Sequence, residues 1–189
     1  MSFVTILYAA LFYFAATILF VGLAYRVYEY AKIPAPLKIP TPPAPMTQRG
    51  VAIRIFREVV FFESLFSATK WTWLFSWIFH LALLLAALRH LKYFTDPVWF
   101  WVSSELVQVA GHYAAYLMLA GLLGLFARRV FVDRVRYISS PSDYLILVLI
   151  IAIAGSGLMM KWFPSDILAI KLFFVGLLTF NFSELPSDA

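Results

Sequence analysis

Apolar residues fall along the chain in four long blocks, separated by short polar or tryptophan-rich connections. The first block runs from Phe3 to Tyr25 and is closed by Arg26; the others cover about 71–91, 106–127 and 144–160. Each is long enough to cross the roughly 30 Å hydrocarbon core of a bilayer as a helix. The predicted architecture is therefore an all-α membrane bundle of four transmembrane helices in a single domain, 1–189. A secretory signal peptide is the rival reading of the first block. No basic residue precedes that block and it exceeds a typical signal core, so a retained helix is expected.

The segments between the blocks carry their own signals. Prolines at 34, 36, 40, 42, 43 and 45 predict an exposed, extended loop. From Val51 to Phe66, Arg54, Arg57 and Glu58 alternate with Ile, Val and Phe, the pattern of an interfacial helix or an early start to the next span. Trp71, Trp73 and Trp77 mark a headgroup boundary. The run Ser139-Ser140-Pro141-Ser142-Asp143 and the pair Ser165-Asp166 are helix-start signals. The apolar stretch 167–182 is short and holds Lys171, so an interfacial or re-entrant helix is expected there rather than a fifth span.

Composition supports lipid as the solvent. The chain is 63% hydrophobic and 13% charged, with a mean hydropathy of +0.86. A soluble domain carries nearly twice that charged fraction. The net charge of +5 does not point to nucleic acid, because the basic residues gather in two loops. Arg26, Lys32, Lys38, Arg49, Arg54, Arg57 and Lys70 follow the first block; Arg128, Arg129, Arg134 and Arg136 follow the third. The positive-inside rule puts both loops in the cytoplasm and the N-terminus outside, in a multi-pass protein of the cytoplasmic membrane. These loops suit an acidic partner or lipid headgroups. With no cysteine, the chain itself offers neither disulfides nor iron–sulfur ligands.

The candidate chemistry is three histidines, all inside predicted spans: His80, His90 and His112. An ionisable residue in a span is costly and marks function by default; the competing reading is an imidazole hydrogen-bonded between helices. His80 and His90 share one helix, separated by a rise of roughly 15 Å and a turn of roughly 80°. That spacing suits axial ligands for two haems at two depths, with haem iron as the metal. Arg89 either pairs with a haem propionate or snorkels to the headgroups. His112, at the depth of His90, reads as a haem ligand, a proton acceptor for quinone, or a packing residue. Glu105, at the same end, reads as a proton carrier or a hydrogen-bonded surface group. There is no phosphate-binding glycine loop and no HExxH.

These residues carry a resemblance. The helix from Trp77-Ile78-Phe79-His80 to Arg89-His90-Leu91 resembles the second span of respiratory nitrate reductase gamma-type cytochromes b. The stretch Arg134 to Tyr144 and the stretch Asp166 to Phe180 resemble the DsrM branch, the cytochrome b subunits of DsrMKJOP complexes linked to dissimilatory sulfite reductase. The resemblance implies a five-span bundle with two b haems, exchanging electrons between the quinone pool and a cytoplasmic DsrK-like iron–sulfur subunit. It implies His80 and His90 as ligands, with two more from a fifth span. This sequence has no histidine after His112. The expectation is a chain truncated before that span. The rival is a non-redox membrane anchor or assembly subunit whose histidines only pack; a transporter is poorer, since no repeat or broken helix pair is visible.

Overall fold

The computed structural model describes residues 2–34, 45, 47–160, 162 and 166–181. It is all-helical among them, in the order α1 (Phe3–Lys32), α2 (Gln48–Phe61), α3 (Glu63–Ala68), α4 (Lys70–His90), α5 (Glu105–Phe131), α6 (Asp133–Ile138), α7 (Pro141–Met159) and α8 (Ile167–Thr179). Four helices are long and apolar enough to cross a membrane: α1, α4 extended by a 3-10 turn to Tyr93, α5 and α7. They coincide with the four expected blocks, and α1 continues seven residues beyond Tyr25, to Lys32. α8 is a short apolar helix, as expected for 167–182 apart from position 182, which lies outside the described residues. Most of the proline-rich loop lies outside them too.

The chain divides into two compact units, 1–46 with 166–189, and 47–165. In the first, α1 packs on α8 through Ala9, Phe173 and Leu177, flanked by Phe12, Tyr13 and Phe174. The Tyr13 hydroxyl donates to the Leu177 carbonyl at 2.6 Å. That carbonyl lies in the last turn of α8, where no helical N–H is left to pair with it, so the phenol removes an unpaired acceptor from lipid. At the other end of α8 the Asp166 carboxylate accepts from Leu168 N and Ala169 N, the cap expected from the sequence.

The second unit is built on the pairing of α4 with α5. Ala82 and Ala114 meet in its core, 1% and 0% exposed, with Met118, Leu122 and, from α7, Ala154. Glycines let the two backbones approach. A Cβ on Gly121 would stand 3.0 Å from Phe75 O and 3.1 Å from Phe79 N; one on Gly111 would enter the Arg89 stem at 2.8 Å. Small residues at such seams are how membrane helices gain packing when no hydrophobic drive separates protein from lipid. The turn into α7 is fixed by Arg129, which donates to Ser139 Oγ at 2.8 Å and lies 3.6 Å from the Asp143 carboxylate. Asp143 accepts from Ser140 N and Oγ, both at 2.9 Å, realising the predicted helix start.

α2 and α3 form a bent arm on the N-terminal half of α4. Phe62 joins them in the left-handed region, φ 51 and ψ 47. A bulky residue there costs about 1–2 kcal/mol, so the surrounding bonds must hold it. Trp73 Nε1 donates to Phe61 O at 2.6 Å and Trp77 Nε1 to Val60 O at 3.2 Å. These carbonyls end α2 and would otherwise be unpaired. Across the bend, Glu58 accepts from Ser64 N at 3.1 Å and Ser64 Oγ at 2.8 Å, and Arg57 pairs with Glu63. The apolar residues Val51, Ile55, Phe56 and Val59 of α2 stay exposed, as an interfacial helix requires.

Two expectations follow from this packing. Gly121→Val should destabilise the detergent-solubilised protein by about 1–3 kcal/mol through overpacking, whereas Gly155→Val, with open space within 4 Å, should not. Equal thermal unfolding midpoints for the two variants would contradict the glycine seam. At the bend, the Ser64 N–H and hydroxyl, helped by the charges of Arg54 and Arg57, hold the Glu58 carboxyl below the ordinary glutamate value. A depressed folded-state pKa stabilises above the unfolded value and is lost as pH falls through the folded one. The protection of the Ser64 amide against hydrogen exchange, relative to an unstructured amide at the same pH, should therefore fall on acidification through that range, and Glu58→Gln should remove this pH dependence of the protection.

Candidate functional site

The α4–α5 seam decides where the histidines point. Ala82 and Arg89 occupy the side of α4 that meets α5. His80, Leu83, Leu84, Ala87 and His90 lie on the other side and are all exposed within this chain. One uninterrupted surface of α4 thus presents two imidazoles about 15 Å apart along the axis, with the small Ala87 between them.

Both rings are held in the same way. His80 Nδ1 donates to Ser76 O at 2.7 Å, and His90 Nδ1 donates to Ala86 O at 2.6 Å. A carbonyl oxygen only accepts, so in each ring the proton sits on Nδ1. Nε2 is then the nitrogen turned away from the helix backbone. A metal-ligating histidine is held in this way, with its second nitrogen fixed by a hydrogen bond. Among the described residues no three of His, Cys, Asp and Glu gather into a set for a bare metal ion. Single outward imidazoles beside small apolar residues fit a haem, which brings four nitrogen ligands of its own and requires only axial donors and a flat apolar surface.

The two imidazoles have different neighbours. The Phe62 ring meets His80 edge to face, with centroids 5.1 Å apart and planes at 77°, and Phe79 does so at 4.8 Å and 73°. His90 has Tyr93 at 5.8 Å, tilted at 43°. Near His90 the helix end is tied to α5 by Lys92 Nζ donating to Gln108 Oε1 at 3.4 Å, while Gln108 Nε2 donates to Val102 O at 2.8 Å.

The other expected site residues are not gathered with this pair. Arg89 is half-buried and its stem packs against Gly111, on the α5 side. His112 is exposed on α5, about 130° around that helix from its buried stripe, with Tyr113 5.4 Å away. Glu105 is exposed in the first turn of α5, after the cap residue Ser104, where a carboxylate complements the helix dipole. Phe62 was not singled out by sequence reasoning. The signal that could have found it is the acidic pair Glu58 and Glu63 with Ser64, interrupting an otherwise apolar run.

Comparison with known proteins identifies the family. Residues 62–183 match the family described as nitrate reductase gamma subunit. The chain is 33% identical over 208 residues to the Hdr-like menaquinol oxidoreductase cytochrome b-like subunit of Archaeoglobus fulgidus, covering 89% of this chain and 63% of that protein. Its counterpart from Archaeoglobus profundus is 31% identical over 216 residues, covering 93% of this chain and 64% of that protein. The chain thus spans just under two thirds of the length of these curated relatives. No solved structure matches it. With the match extending from the bend before α4 through α8, and with four helices fit to span a membrane, the chain belongs to the nitrate reductase gamma subunit family.

Proposed function

We propose that this chain is the haem b-carrying membrane subunit of a quinone-linked oxidoreductase complex, forming one cytochrome b-type domain over 1–189. The observation that carries the proposal is the matched pair of Nδ1 bonds on α4, which turn two Nε2 atoms to one surface at two depths. The names of the curated relatives support quinone, specifically menaquinol, as the reductant or its product.

His80 and His90 would each serve as an axial ligand to a haem iron. Haem b supplies one-electron redox chemistry when bound. The residues around it orient the ligand, exclude water and tune the potential. Any further protein ligand to either iron would come from residues other than His80 and His90. Arg89, with its stem packed against Gly111, would either pair its guanidinium with a propionate beside His90 or snorkel to the headgroups. His112 and Glu105, on the exposed surface of α5, are the imidazole and carboxylate available to a quinone and its protons.

The basic loops would face the cytoplasm, placing the N-terminus outside the inner membrane and an iron–sulfur subunit on the arginine-rich side. His80 is the histidine nearer that side, so electrons would cross between the levels of His90 and His80. The finer assignment, to a DsrMKJOP-like complex of sulfur metabolism with a DsrK-like partner, rests on the stretches Arg134 to Tyr144 and Asp166 to Phe180.

The test is a reduced-minus-oxidised visible spectrum of the purified complex, for the wild type, His80→Ala and His90→Ala. Each variant should lose one haem contribution and keep the other. A b-type signal unchanged in both variants would remove the ligand assignment. A wild-type complex with no b-type signal would leave a non-redox anchor whose histidines only pack.

A further inference from the structure

We infer that Phe62 is a positioning residue for His80, and that it makes the two histidine sites of α4 electronically unequal. The inference rests on the proposed haem role of His80 and adds to it a residue and a direction of effect.

Phe62 is the one residue between α2 and α3, and its left-handed backbone aims the ring at α4. The bend is fixed from both sides. The Trp73 and Trp77 indoles hold the carbonyls of Phe61 and Val60, while Glu58 holds Ser64 on the far side of the bend. None of these bonds involves the Phe62 side chain, yet together they determine where it lies. The ring meets His80 with its plane at 77° to the imidazole. With the Nδ1 bond to Ser76 O already in place, an edge-to-face neighbour limits the remaining rotation of the imidazole about its stem. It also sets hydrocarbon against one side of that imidazole. Among the described residues His90 has no such arrangement: the ring beside it is Tyr93, tilted at 43°, in the 3-10 turn at the helix end.

Two general relations convert this geometry into observables. The orientation of axial imidazole planes sets the g anisotropy of a low-spin ferric haem. An apolar, water-excluding surround disfavours the more highly charged ferric form and so raises the reduction potential. The iron bound through His80 should therefore have the higher potential contribution from its surroundings, and that contribution should depend on the Phe62 ring.

Phe62→Gly isolates the ring, because glycine takes a positive φ without the penalty a side chain incurs. Phe62→Asn, also tolerant of that backbone, is the second variant should the glycine chain assemble poorly. Phe62→Tyr keeps the aromatic edge. The purified complex is read by EPR and by redox titration of the b-type absorbance. In Phe62→Gly, the ferric signal that is missing from His80→Ala should shift its largest g value, and its midpoint potential should fall. The signal that survives in His80→Ala should keep both values, and Phe62→Tyr should resemble the wild type. Both signals unchanged in Phe62→Gly and Phe62→Asn would overturn the inference, as would equal shifts of both, which indicate a general loosening. Absence of b-type haem from the wild-type complex would instead refute the underlying haem reading.

Discussion

The close approach of α4 to α5 is the constraint on which the second unit depends. Two helices in lipid gain nothing from hiding apolar side chains, since lipid is equally apolar. Their association needs many short van der Waals contacts, and Gly111, Gly121 and Gly124 provide the room for them. The same glycines fix rotation about the α4 axis. Only one side of α4 can enter the seam, the side of Phe75, Ala82 and Arg89, and the surface outside it is left to carry His80 and His90. Packing and chemistry are thus divided between the two faces of a single helix.

Hydrogen bonding follows a second constraint, that backbone groups must be paired wherever water is scarce. The chain meets it repeatedly with side chains at helix ends. Tyr13 serves the end of α8, Trp73 and Trp77 the end of α2, Tyr144 the carbonyl of Arg129, and Asp143 and Asp166 the starts of α7 and α8. The aromatic residues that a hydropathy profile assigns to the headgroup belt therefore do structural work as donors. Trp73 and Trp77 show this best, because their indoles fold an amphipathic arm back onto the helix that bears the histidines.

Much of this was legible in the sequence because membrane helices announce themselves by length and composition alone. The four spans, the short apolar helix near 167–182 and the starts at Ser140 and Asp166 needed no tertiary information. The spacing of His80 and His90 likewise followed from helical geometry. What the sequence did not show is which face of α4 another helix covers. Apolar residues are spread nearly uniformly around the axis of a span in lipid, so the packing of the Arg89 stem against Gly111 had no sequence signal. Phe62 was hidden for a different reason. A left-handed phenylalanine contradicts the local preference for glycine, and the bonds of Trp73, Trp77 and Glu58 together with the Arg57–Glu63 pair sustain it.

The imidazole bonds on α4 have a consequence for biogenesis. Each ring is tied to the carbonyl one turn earlier in its own helix, the oxygen that also accepts that residue's helical N–H. The Nδ1 tie of each ring is therefore prepared by a single turn of backbone. A nascent chain that has inserted α4 already holds both imidazoles by that bond, and for His80 the Phe62 ring completes the orientation when the α2–α3 arm folds onto α4.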